Sequence, residues 1–89
     1  MLEQEVTICN KLGLHARAAA KFVATASEFE SEIEIEKDGK RVNGKSIMGV
    51  MMLAASNGSL IKLYVEGNDA ESAVEKLQNL ILSRFGEDE

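Results

Sequence analysis

The chain is 89 residues long, 45% apolar and 28% charged, with a formal net charge of -5. That is enough for a single domain over residues 1–89 with one modest core. The acidic balance argues against nucleic acid as a default partner. No apolar run approaches a bilayer-spanning length, so no membrane association is expected. One cysteine, Cys9, and one histidine, His15, leave no intrachain disulfide, no paired-cysteine redox motif and no expected metal site. The opening Met1-Leu2-Glu3 lacks the basic and apolar regions of a secretory signal, so a reducing cytoplasm is the expected location.

Leu2 to Cys9 alternates, with Leu2, Gln4, Val6 and Ile8 on one face, and predicts a half-buried strand. Asn10 to Leu14 is a loop containing Gly13. Ala19, Phe22, Val23 and Ala26 then recur at helical spacing, so a first helix begins near His15 and runs to about Ser27. Glu32 to Glu36 alternates Glu and Ile and predicts a second strand. Asp38-Gly39 is a two-residue hairpin signal, and Lys40 to Asn43 is the short returning strand. Ser46 precedes Ile47, Val50, Met51 and Ala54 and predicts the N-cap of a short second helix. Ser56 to Ser59 breaks the chain, and Leu60 to Glu66 is a fourth strand with Ile61, Leu63 and Val65 inward. Asp69 caps a third helix with the stripe Ala70, Ala73, Val74, Leu77 and Ile81, with Arg84 in its last turn and Gly86 closing it. The order β-α-β-β-α-β-α, with one-faced strands, points to an α+β fold: an antiparallel sheet covered on one side by helices.

The chemistry concentrates at His15. As N-cap it would hold its ring beside the free amides of Ala16, Arg17 and Ala18, where the helix dipole favours an anion and Arg17 adds a fixed charge. A neutral imidazole nitrogen is a nucleophile near neutrality, since its unperturbed pKa is about 6.5. A nucleophile inside an anion site is what accepting a phosphoryl group requires. The bland alternative is an ordinary capping histidine at a helix N-terminus that merely binds anions. Lys11, Arg17, Lys21, Lys40, Arg41 and Lys45 suggest a locally basic face on an acidic body, suited to phosphate and acidic protein surfaces.

Two further features need weighing. Gly39 to Ser46 matches the P-loop pattern G-x-x-x-x-G-K-[ST] literally. A true P-loop is one irregular loop between a strand and a long helix, whereas here the segment starts at a hairpin turn and continues as a strand, so nucleotide binding is not expected. The second helix carries apolar residues nearly all round. Val50 and Leu53 fit a core, while Ile47, Met48 and Met51 are expected to form a partner-docking surface, for which flexible methionine is suited.

Gly13-Leu14-His15-Ala16-Arg17, followed by Ala19-Ala20-Lys21-Phe22-Val23, resembles the histidine-containing phosphocarrier (HPr) family of the bacterial phosphotransferase system. Lys45-Ser46-Ile47-Met48-Gly49-Val50-Met51 matches it as well, and the resemblance runs over nearly the whole chain. Many members carry proline three residues after the histidine, where this chain has Ala18. The resemblance implies an open-faced β-sandwich whose four-stranded sheet has the order 1-4-2-3, covered by three helices. It implies a carrier without a cofactor and not an enzyme, acting as a monomer. His15 would accept phosphate at Nδ1 from enzyme I and pass it to an enzyme IIA of mannose or nitrogen type. Arg17 and the amides of Ala16 and Ala18 would steady the charge. Ser46 would be a regulatory phosphorylation site for an HPr kinase/phosphorylase, and Ile47, Met48 and Met51 would dock partners. Two other readings stand beside this one: a purely regulatory protein-binding module controlled by Ser46, and an anion-binding domain without covalent chemistry.

Overall fold

The computed structural model describes residues 1–89. Its elements are β1 (Leu2–Thr7), α1 (Ala16–Ala26), β2 (Glu32–Lys37), β3 (Lys40–Asn43), α2 (Ile47–Met52), β4 (Leu60–Glu66) and α3 (Ala70–Leu82), closed by a 3-10 turn at Arg84–Gly86. The strands form one antiparallel sheet in the order β1-β4-β2-β3. Alternation decides which face each strand turns inward: Ile61, Leu63 and Val65 of β4 are all buried, with Leu63 opposite Gln4 on one side and Ile35 on the other. The helices supply Ala18, Ala19, Phe22 and Ala26 from α1 and Ala70, Ala73, Leu77 and Ile81 from α3 to the same core. On the face that Leu2, Gln4, Val6 and Ile8 share, Val6 and Ile8 are buried while Leu2, at the start of β1, is 37% exposed. The opposite sheet face is a mosaic of charge, in which the Arg41 guanidinium lies over the Tyr64 ring at 3.6 Å and pairs with Glu34.

Turn chemistry matches the expectation at Asp38-Gly39, where both residues have positive φ, 52° and 83°, as the hairpin turn requires. The literal P-loop pattern dissolves in this hairpin: Lys40–Asn43 pairs with β2, and the Lys45 ammonium donates to the Phe29 carbonyl at 2.7 Å. Most of the expected basic face is likewise occupied. Lys21 donates to the Phe85 carbonyl, Lys40 to that of Met52, and Lys37 to that of Ala54, the last two at the negative end of α2.

The third helix departs from expectation at both ends. Asp69 is its N-cap residue, but its carboxylate makes no cap hydrogen bond. It accepts instead from the Glu30 and Ser31 amides and the Ser31 hydroxyl, tying α3 to the entry of β2. At the other end Arg84, Phe85 and Gly86 all take positive φ, and Phe85 is driven into the core, 1% exposed. The three donors around Asp69, the Ser31 hydroxyl foremost, hold its carboxyl below the ordinary 3.8. A carboxyl lowered on folding stabilises the fold above its unfolded pKa, and that contribution is lost as pH falls through the lowered value. Asp69→Asn should therefore be less stable than the wild type at neutral pH. The gap between their urea midpoints should close as pH falls below 3.8.

Candidate functional site

The loop before α1 places His15 by backbone contacts. Gly13 adopts φ +66°, and a Cβ there would lie 2.4 Å from the Ala55 carbonyl oxygen and 2.7 Å from Ser56 Cα. Only glycine allows both the conformation and the approach. The next amide, Leu14 N–H, donates to the same Ala55 carbonyl at 2.8 Å, and Leu14 is buried. His15 follows as the N-cap, in extended conformation, with its carbonyl accepting from Ala19 N–H.

The His15 ring does not cap the helix. Its Nε2 meets Glu87 Oε2 at 2.5 Å, and the two side chains keep 28% and 15% of their exposure. Glu87 Oε1 accepts from Asn10 Nδ2 at 2.9 Å, and the same Asn10 amide donates to the Gly13 carbonyl at 2.8 Å. Asn10 is fully buried, and its Oδ1 is the one buried side-chain nitrogen or oxygen without a partner. His15 Nδ1 makes no hydrogen bond and is not buried, so it opens to solvent. The Asn10 and His15 contacts, in that order, hold the Glu87 carboxyl below the ordinary 4.5.

Neither Glu87 nor Asn10 was singled out in the sequence. In the sequence Glu87, Asp88 and Glu89 stand out only as three acids among the last four residues. The available signal was Phe85, an aromatic residue past the last helical turn and next to a glycine. The tail also binds Lys11, whose amide donates to the Glu89 carbonyl and whose ammonium sits 3.1 Å from the Glu89 carboxylate. The result is a shallow depression bounded by Lys11, Leu12, Ala16, Arg17 and the tail.

Ala16 and Arg17 are exposed, and their amides donate to no group in the chain. Arg17 enters none of the six ion pairs. Ala18 differs from expectation: it is 0% exposed and belongs to the core, so an anion at the surface does not reach its amide. Ser46 is half-buried and accepts from Gly49 N–H at 3.1 Å, the cap that its position predicts. Val50 and Leu53 are buried, whereas Ile47, Met48 and Met51 are 44%, 75% and 41% exposed. Met52 and Leu12, at 62% and 65%, extend the apolar surface between α2 and the histidine loop.

A family model described as the PTS HPr component phosphorylation site matches residues 2–83. The chain belongs to the HPr family. It is 55% identical to the phosphocarrier protein HPr of Neisseria meningitidis serogroup A, over the full length of both chains. It is 57% identical over 77 residues to the HPr-like protein Crh of Halalkalibacterium halodurans, covering 86% of this chain and 92% of that one. The fold superposes on a crystal structure of HPr-C-His from Thermoanaerobacter tengcongensis with a TM-score of 0.96 and 55% identity, over all of both chains. HPr proteins are phosphocarriers of the phosphotransferase system, carriers and not catalysts, and no helix here is long and apolar enough to cross a membrane.

The Ser46 geometry carries its own expectation. Ser46→Ala should lower unfolding free energy by about 1 kcal/mol, while Ser46→Asp, which keeps a capping oxygen, should retain most of it. Urea unfolding of the three proteins measures both.

Proposed function

We propose that this chain accepts a phosphoryl group on Nδ1 of His15 from enzyme I and hands it to an enzyme IIA of mannose or nitrogen type. The observation that carries this reading is the division of the ring: Nε2 is engaged by Glu87 while Nδ1 is unpartnered and open to solvent. Around it, the amides of Ala16 and Arg17 and the unpaired Arg17 guanidinium supply positive charge for a phosphate. Such a helix terminus is worth about 0.3–1 kcal/mol to an exposed anion. That steadies a phosphoryl group without trapping it, as a carrier needs. The chain supplies little other catalytic apparatus at Nδ1, so the in-line transfer is completed by groups of the partners.

Ile47, Met48 and Met51, with Leu12 and Met52, form the docking surface for both partners. Ser46 lies at its edge. Phosphorylation by an HPr kinase/phosphorylase would add roughly -1.5 to -2 charges there. The α2 N-terminus accommodates that charge, while an acidic partner surface does not, so the effect falls on docking and not on folding. The protein works as a monomer in the cytoplasm. The 57% identity to an HPr-like Crh protein supports a second reading, a regulatory module switched at Ser46, in which His15 carries no phosphate.

Incubation with enzyme I and labelled phosphoenolpyruvate separates the two. Label should enter the wild type and be absent from His15→Ala, and Arg17→Ala should be labelled about tenfold more slowly or worse. Undiminished label in His15→Ala would sink the carrier assignment at this residue. Ser46→Asp should raise KM for enzyme I while its stability stays within about 1 kcal/mol of the wild type. An unchanged KM would remove Ser46 from donor docking.

A further inference from the structure

Helix α2 ends in a conformation that its own sequence opposes. Ala54, the residue after the cap Leu53, takes φ +50°. That left-handed conformation suits glycine and costs any residue that carries a Cβ. The main chain gives the turn little support. Leu53 N–H and Ala54 N–H turn back to the Val50 and Met51 carbonyls, but the carbonyls of Met52, Leu53 and Ala54 accept from no main-chain amide. A helix of six residues is too short to hold such an end by cooperativity, and its last turn has no basic residue.

The missing donors come from the β2–β3 hairpin. Lys37 Nζ lies 3.2 Å from the Ala54 carbonyl oxygen and 3.5 Å from that of Leu53, and Lys40 Nζ lies 3.4 Å from that of Met52. Lys37 and Lys40 are cross-strand partners on either side of the Asp38-Gly39 turn, so one hairpin end aims both ammonium groups. Each donates to a carbonyl that the helix leaves free and opposes the negative end of its dipole. The rival for Lys37 is Asp38, 3.9 Å away with a side chain 87% exposed, a pairing too solvated to compete. Lys40 enters no ion pair.

The residue after this turn makes the contact that places the histidine. Ala55 is buried, its carbonyl accepts from Leu14 N–H at 2.8 Å, and Gly13 packs directly against it. Were Ala54 to relax out of the left-handed region, Ala55 and its carbonyl would move, and Leu14 would lose its acceptor. We infer that Lys37 and Lys40 are positioning residues for His15: they hold the left-handed end of α2, which holds Ala55, which holds the loop from Gly13 to His15. The two ammonium groups never approach the ring; they act through three peptide groups. The functional side of this inference rests on His15 being the phosphoryl acceptor.

The test removes the ammonium groups and then removes the strain that they offset. Lys37→Met with Lys40→Met keeps both apolar stems. In that protein the Leu14 amide should exchange with deuterium about three- to tenfold faster relative to the Leu77 amide of α3. With enzyme I and labelled phosphoenolpyruvate its kcat should fall about threefold or more. Adding Ala54→Gly, at an exposed position where glycine takes the same φ freely, should restore both values with the two charges still absent. Lys37→Arg with Lys40→Arg, which keeps two cationic donors, should stay near the wild type, and each single methionine variant should show part of the effect. An unchanged Leu14 exchange rate, or a raised KM with unchanged kcat, would reduce the lysines to docking charges and overturn the inference. Failure of Ala54→Gly to restore the double variant would overturn it as well. Label that persists in His15→Ala would instead retire the acceptor reading while the Leu14 exchange result stood, so the two failures are distinguishable.

Discussion

The position of the His15 ring depends on a main-chain contact between two loops. Gly13 passes so close to Ala55 and Ser56 that a methyl group at its Cα would overlap their backbone, and Leu14 N–H closes the contact on the Ala55 carbonyl. With Leu14 locked beneath and α1 starting immediately after, His15 has one place to be. The N-terminal end of α1, the apolar face of α2 and the acidic tail then meet around it, because α1 packs against α2 and against the terminal 3-10 turn. The site is a junction of three segments far apart in sequence, set by a glycine with no room for a side chain.

Much of this was legible before any coordinates. β4 and the β2–β3 hairpin announce themselves, because strict alternation and a turn that needs positive φ are local signals. The Ser46 cap and the outward Met48 and Met51 follow from counting the faces of a helix too short to bury all of them. The histidine at a helix start was equally plain. What failed was the fate of polar side chains that reach across the structure. Asp69 stands where a cap should be, yet its carboxylate serves Ser31 and Glu30 on another element. Lys21, Lys40 and Lys45 read as a basic face, yet each gives its ammonium to a main-chain carbonyl. Glu87 was invisible for the same reason. A long side chain selects its partner from tertiary neighbours, and a run of three acids carries no trace of the phenylalanine that anchors it.

The surroundings of His15 also show how an acidic protein keeps positive groups locally free. Net charge does not decide it. Arg17 is left unpaired and two amides at the start of α1 are left without acceptors, while the nearest carboxylate is turned to the far edge of the ring. Local geometry keeps the unpaired positive groups at the start of α1 apart from the Glu87 carboxylate, which is engaged by Asn10 and His15 Nε2.

The contact between Glu87 and the His15 ring joins residues 72 positions apart in the chain. Phe85, two residues before Glu87, lies in a core whose sheet sets β4 between β1 and β2. The contact at the ring therefore exists only where the core around Phe85 is complete.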